Sequence, residues 1–281
     1  MRVVFLGEDS FSARVLNSLI NNNIQILMVL TPWYDNFIYK RLEALTRKCN
    51  IPYLREKDIN SIKVVDKIKC LNPDIIVTAH FEKLLKKELI EIPHKGCINL
   101  HPSLLPRYRG MAPQHWPIIN GDTETGVTVH YIEEDVDTGN IILQKKLLIS
   151  PDVYVHELQM QMLPIYETIV VEAINLIANG FVGIKQDLSK GSIYGKFKSK
   201  QAEITSNKTK MYAYNLIRAI SKPYMGAYYE KYRIWKAHLP GSEEDLLMSE
   251  HPEIGFYIKE EGNALLRLDD GVLIIDDYQL I

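Results

Sequence analysis

Over the first eighty residues, short apolar runs alternate with stretches whose apolar positions recur at helical spacing. Residues 3–6 are β-branched and aromatic and end at Gly7, after which Phe11, Val15, Leu16, Leu19 and Ile20 mark one face of a helix. A second apolar run covers 24–30, followed by a turn at Pro32 and a helix-spaced segment over 38–49. Residues 52–54 predict a short third strand, and Ile62, Val65, Ile68 and Leu71 a third helix. The near-continuous run at 74–79 has the composition of a strand covered on both faces. Repeated strand and helix in this order predict an α/β fold built on a doubly wound, mostly parallel sheet.

Beyond this point the pattern loosens. Residues 84–90 predict a helix and 96–101 a strand, followed by a long irregular loop with Pro102, Pro106, Pro113 and Pro117. Strands at 125–133 and 141–149 flank the acidic turn 134–139, and a long amphipathic helix follows over 153–180, with Leu158, Met162, Ile165, Ile169, Ala173, Leu176 and Ile177 on one face. From there the texture changes to a basic, polar stretch, a helix at 211–221 and short strands around 228–237, 255–258, 264–268 and 272–275. The expected division is a larger domain over 1–185 and a smaller α+β domain over 186–281.

Composition narrows the function classes. Among 281 residues, 33 Lys and Arg meet 35 Asp and Glu, so no global basic field exists to hold a nucleic-acid backbone. Cys49, Cys70 and Cys97 are far apart and form no CxxC pair, which fits a reducing cytoplasm and argues against structural zinc. No metal site is expected. The N-terminal apolar run is too short for a secretory signal, and the nearest approach to a membrane span, 168–184, carries Glu172, Asn175 and Asn179. A cytoplasmic protein without membrane contact is the expectation.

The candidate chemistry starts at the end of the fifth predicted strand. Asn99 and His101 are two apart, so both side chains leave the strand on one side, at the carboxyl edge where doubly wound sheets bind ligands. An amide can donate to a developing oxyanion and an imidazole can take or relay a proton near neutral pH, a combination suited to acyl transfer. Asp137, in the acidic turn, is placed to hold the imidazole tautomer or order a water.

These residues lie in a longer phrase. Gly96-Cys-Ile-Asn-Leu-His-Pro-Ser-Leu-Leu-Pro-Arg-Tyr-Arg-Gly110, with Pro113, Gly121, Thr125-Gly-Val-Thr-Val-His130 and Asp137-Thr-Gly139, closely resembles the folate-dependent formyltransferases, over roughly residues 1–180. The resemblance implies 10-formyl-tetrahydrofolate as co-substrate, with Asn99 and His101 stabilising a tetrahedral oxyanion and His101 with Asp137 managing the proton. It implies a pterin held by backbone groups of Lys83, Leu84 and Leu85 and of Glu133, Glu134, Asp135, Val136 and Asp137. Some relatives have an arginine directly after the Arg-Gly pair, where this chain has Met111.

The resemblance also divides by acceptor. The glycinamide ribonucleotide branch has a Gly/Ser-rich phosphate loop after its first strand, whereas this chain reads Gly7-Glu-Asp-Ser10. The methionyl-tRNA branch carries a basic insertion after the second strand and a positive C-terminal barrel; the stretch 31–40 here is short, aromatic and nearly uncharged. The nucleotide-sugar branch shares a phrase like Asn215-Leu-Ile-Arg-Ala-Ile-Ser-Lys-Pro-Tyr-Met-Gly-Ala227 and a strand like Tyr232-Arg-Ile-Trp235. The leading expectation is therefore formylation of a dTDP- or UDP-linked amino sugar for a surface polysaccharide such as an O-antigen, by a homodimer. Ser10, His80 and Arg109 are the candidate acceptor contacts, and Arg218 reads as a structural salt-bridge partner. The alternatives are methionyl-tRNA formylation and a folate-binding protein without catalysis.

Overall fold

The computed structural model describes residues 1–33, 40–259 and 263–281. In chain order the elements are β1 (Arg2–Gly7), α1 (Ser10–Asn21), β2 (Gln25–Pro32), α2 (Lys40–Lys48), β3 (Tyr53–Glu56), α3 (Ile62–Leu71), β4 (Ile75–Ala79), α4 (Lys87–Ile90), β5 (Cys97–His101), β6 (Arg109–Gly110), α5 (His115–Ile119), β7 (Glu124–Tyr131), β8 (Ile141–Leu148) and α6 (Val155–Ala178). They continue with β9 (Ile193–Tyr194), α7 (Lys210–Ala219), β10 (Ala227–Tyr229), β11 (Tyr232–His238), α8 (Glu244–Glu250), β12 (Gly255–Ile258), β13 (Ala264–Leu268) and β14 (Gly271–Leu280). Part of the stretch 31–40 and of the helix expected over 38–49 lies outside the described residues.

The chain forms two compact units that interleave along the sequence. One comprises 1–110, 126–146 and 162–193, the other 111–125, 147–161 and 194–281. The boundary expected at 185/186 falls inside the last segment of the first unit.

The first unit holds the seven-stranded sheet, ordered β3-β2-β1-β4-β5-β7-β8. Strands β1 to β5 pair in parallel, and β7 runs antiparallel to β5. The central strands explain the continuous apolar runs: Val3, Val4, Phe5 and Leu6 of β1 and Ile75, Ile76 and Val77 of β4 are buried on both faces. Helix α1 begins with a capping box, Asp9 accepting from the Ser12 amide at 2.8 Å while the Asp9 amide donates to the Ser12 hydroxyl at 2.9 Å.

Three expectations need correction. Residues 84–86 are neither helix nor strand, and α4 begins only at Lys87, because the Asn60 side chain binds the Leu84 carbonyl and the Lys86 amide. The proline-rich loop contains a short helix, α5, all five residues of which are buried. The strand expected over 228–237 is a hairpin, β10 against β11, with Glu230 at the turn in the left-handed region (φ 51°).

Helix α6 is long and apolar enough to cross a bilayer by length and composition, which the sequence reading missed by starting the apolar run at Thr168. Leu158, Met162, Ile169, Ala173 and Ile177 of the expected face are buried, together with Tyr166, Val170 and Ile174, whereas Ile165 is half-buried and Leu176 is exposed. One face of α6 is thus buried and the other exposed, as in an amphipathic helix. The second unit contains the five-stranded antiparallel sheet β10-β11-β14-β13-β12 and packs α7 on β11 and β14.

Candidate active site

Sheet register brings the chemistry together. Thr78 of β4 pairs with Asn99 of β5, Asn99 pairs with His130 of β7, and His101 pairs with Thr128. One row across three strands therefore carries a hydroxyl, an amide and an imidazole.

The hydrogen bonds fix each group's orientation. The Thr78 hydroxyl donates to Asn99 Oδ1 at 2.7 Å, so the Asn99 amide nitrogen faces His130 Nε2, 3.3 Å away. His130 Nδ1 lies 2.7 Å from the Tyr131 carbonyl and His101 Nε2 lies 2.8 Å from the Tyr108 carbonyl. A carbonyl only accepts, so these two nitrogens carry the ring protons. In the neutral rings, the lone pairs sit on His130 Nε2 and His101 Nδ1.

Both lone pairs face Asp137. Its Oδ2 is 3.5 Å from His101 Nδ1 and its Oδ1 is 3.4 Å from His130 Nε2. The carboxylate also accepts the Gly110 amide at 2.8 Å, and the Gln186 side chain donates to the carbonyls of Asp137 and Gly139 at 2.9 and 2.7 Å. Asp137 itself is left-handed (φ 54°), a conformation Asp tolerates better than most side chains. Gly139 permits the tight return, since a Cβ there would lie 2.0 Å from the Tyr131 carbonyl oxygen.

Electrostatics follow from this packing. Burial pulls His101 below the usual histidine value of 6.5, although Asp137 opposes the shift. Burial would raise Asp137, but the positive charge that His101 and His130 carry when protonated, together with the Gly110 amide, outweighs it and holds the carboxyl well below the ordinary carboxylate range. With both rings neutral, the ionised carboxylate faces two imidazole lone pairs, an arrangement that favours taking up one proton. A proton released nearby has a site between His101 and Asp137, while one Asn99 amide hydrogen remains free to meet an oxyanion.

An open cleft adjoins this cluster. Lys83, Leu84, Leu85, Asn99 and Glu133, Glu134, Asp135, Val136 and Asp137 line it, together with Thr78, Phe81, His130 and Ile132. The structure therefore brings all of the expected pterin-site residues into one cavity with Asn99 and Asp137. His101 is 4% exposed and does not line the cleft.

Ser10, His80 and Arg109 do not line it either. Ser10 opens α1 beside Asp9, whose carboxylate lies 3.1 Å from His80 Nδ1, and the His80 ring stacks on Phe11 at 5.0 Å. His80 is close enough to His101 to lower its proton affinity. Arg109 precedes the glycine whose amide holds Asp137. Among the described residues, no group of three or more His, Cys, Asp or Glu side chains could hold a metal ion.

Residues 1–174 match the formyl transferase family. The chain belongs to that family. It is 32% identical to methionyl-tRNA formyltransferase of Clostridioides difficile over 292 aligned residues, covering 100% of this chain and 92% of that protein. Its fold is similar to the N-formyltransferase of Helicobacter canadensis in complex with folinic acid and dTDP-3-aminofucose, with a TM-score of 0.76, 23% identity and 99% coverage of both chains. It is also similar to the sugar 3N-formyltransferase WlaRD, with a TM-score of 0.73, 23% identity and coverage of 98% and 96%. The protein is an enzyme that transfers formyl groups, and the resemblance drawn from the phrase around Asn99 and His101 stands.

For this formyltransferase, sequence reasoning missed His130, Thr78 and Gln186 as members of the site. His130 had a usable signal: it lies in an alternating strand, Thr125-Gly-Val-Thr-Val-His130, two positions from Thr128 and four from Gly126, so the three share one face. Thr78 and Gln186 gave no local signal, because their roles depend on strand pairing and on a contact 49 residues away in sequence.

Proposed function

We propose that this enzyme moves a formyl group from 10-formyl-tetrahydrofolate to the amine of a nucleotide-linked amino sugar. The folate supplies a formyl carbon on its N10 nitrogen. The cleft suits a flat heteroaromatic head: Phe81, Leu84, Ile132 and Val136 offer apolar surface, Leu84 is 66% exposed, and Lys83 and backbone groups offer polar edges.

Asn99 would donate its free amide hydrogen to the oxygen that gains charge as the acceptor amine adds to the formyl carbon. His101 Nδ1, backed by Asp137, would take the proton the amine loses and return it to the departing nitrogen. A new carbon–nitrogen bond forms at the acceptor while the bond to N10 breaks, with no net change in protons on the enzyme.

The observation that carries the choice of acceptor is charge. Residues 186–281 contain 13 Lys and Arg against 14 Asp and Glu, so the region a polyanion would have to grip has no surplus of cations. A nucleoside diphosphate needs only one or two cationic side chains. The test is to incubate enzyme and folate donor with a panel of dTDP- and UDP-linked amino sugars and measure mass. A gain of one formyl group is expected, and no product across the panel would reject the reading.

One observation favours methionyl-tRNA instead: the 32% identity to a methionyl-tRNA formyltransferase runs the full length of this chain. That reading requires formylation of charged initiator tRNA and binding that weakens steeply with added salt.

A further inference from the structure

One wall of the cleft is the segment carrying Phe81, Lys83, Leu84 and Leu85, between β4 and α4. It belongs to no strand or helix, and along the cleft Leu84 is exposed while Leu85 is buried. Side chains from two other loops supply the hydrogen bonds that a neighbouring strand would otherwise give.

Asn60 holds one end. Its amide nitrogen donates to the Leu84 carbonyl at 3.0 Å and its Oδ1 accepts from the Lys86 amide at 2.8 Å. The two partners differ in polarity, so only one amide orientation satisfies both. Asn60 is itself braced, its backbone amide donating to Asp58 Oδ1 at 2.9 Å. Glu8 holds the other end, its Oε1 accepting from the Glu82 amide at 2.7 Å. Neither side chain lines the cleft.

We propose that Asn60 and Glu8 are positioning residues for the folate: they fix the wall against which the pterin packs, so affinity for the folate depends on them and the chemical step does not. The inference rests on the folate reading of this cleft. Burial supplies a second line of support. Glu8 is 6% exposed, faces Glu82, Asp9 and Lys83, and burial pushes its carboxyl up to about 7. An ionised Glu8 therefore costs the fold stability above neutral pH, while its charge strengthens the bond to Glu82. A residue that holds a binding wall at the expense of stability has the signature of a functional position.

The experiment titrates wild-type enzyme, Asn60→Ala, Asn60→Asp and Glu8→Gln with 5-formyl-tetrahydrofolate by fluorescence quenching. It also measures kcat, KM for the folate donor and Tm for each. Asn60→Ala is expected to weaken folate binding by about tenfold, with kcat at saturation within about twofold of wild type, as two exposed hydrogen bonds would give. Asn60→Asp keeps the acceptor for Lys86 and is expected to lose less. Glu8→Gln is expected to weaken binding by a few-fold while raising Tm at about pH 8, opposite directions that a purely structural residue would not produce. Wild-type enzyme that fails to bind the folate refutes the cleft reading and this inference with it. Wild-type binding with unchanged affinity in Asn60→Ala and Glu8→Gln, or a loss confined to kcat, refutes the inference alone.

Discussion

Each of the two units buries a polar cluster, and the two clusters differ in what they leave unsatisfied. In the second unit Arg218 donates to the Val153 carbonyl at 2.9 Å and to Asn215 Oδ1 at 2.5 Å, and the guanidinium lies 4.8 Å over the Tyr214 ring. Tyr214 in turn donates to Asp152 at 2.9 Å. Two guanidinium nitrogens and the Tyr214 hydroxyl face acceptors, while the buried Arg218 Nε is left without one, so this network ties α7 to the segment before α6 and gives a ligand little to bind. In the first unit, Asp137 faces two imidazole lone pairs at 3.4 and 3.5 Å, and Asn99 keeps a spare donor beside an open cleft. Burial of polar groups does not by itself mark a site; hydrogen-bonding capacity left over beside an open cleft does.

Single substitutions should separate the two clusters cleanly. His101→Ala and Asp137→Ala are expected to lower kcat by roughly 10²- to 10⁴-fold while Tm stays within a few degrees of wild type. Asn99→Ala follows, at roughly 10²- to 10³-fold, as for loss of one oxyanion donor. Arg218→Ala should do the reverse, costing about 2–3 kcal/mol of stability through its lost charged hydrogen bonds and leaving the rate of the remaining folded enzyme unchanged. Denaturant titration and initial rates on the same samples measure both. An Arg218 variant that folds normally but turns over slowly would erase the distinction between the clusters.

His130→Ala is a smaller perturbation. The ring accepts from Asn99, so its loss frees the amide to rotate without removing it, and a reduction in kcat of about tenfold is expected. His130→Gln, which keeps an acceptor, should recover part of that rate. Equal losses in both variants would mean that the imidazole matters through its proton and not through the amide it holds.

The parallel half of the fold was legible because its strands are covered on both faces and so read as unbroken apolar runs, with Gly7 and Pro32 as punctuation. Asn99 and His101 stood out by their spacing, and Asp137 by its acidic turn and by the phrase it shares with them; the structure brings the three side chains together. Less legible were features set by contacts distant in sequence. Residues 84–90 have a helical apolar pattern, yet Asn60 captures the Leu84 carbonyl and delays the helix to Lys87. Four prolines between 102 and 117 read as pure loop, but Pro117 sits inside α5, where its neighbours Trp116, Ile118 and Ile119 are buried. The interleaving of the two units, with 111–125 and 147–161 leaving the first, has no compositional mark at all.

The smallest expected effect concerns acid, and it distinguishes the clusters through their histidines. Burial lowers His101 in the first unit and His115 in the second, the latter held by the Ala219 carbonyl at 2.6 Å. A histidine whose folded value lies below 6.5 favours folding above that pH, and its contribution is lost as pH falls from 6.5 through the folded value. Asp137 behaves similarly at lower pH, its contribution being present above 3.8 and lost as pH falls through its depressed value. Glu8 has the opposite sign, favouring folding below 4.5 and losing that contribution as pH rises through about 7. Between about pH 7.5 and pH 5 the two histidines therefore oppose Glu8, and stability should fall more, or rise less, with acid in wild-type protein than in either His101→Gln or His115→Gln. The rate profile separates them. His115→Gln should keep the wild-type dependence of kcat on pH, whereas whatever activity survives in His101→Gln should lose the limb set by the imidazole. If His115→Gln shifted that limb, the second unit's histidine would be coupled to the chemistry and the contrast between a closed and an open polar cluster would fail.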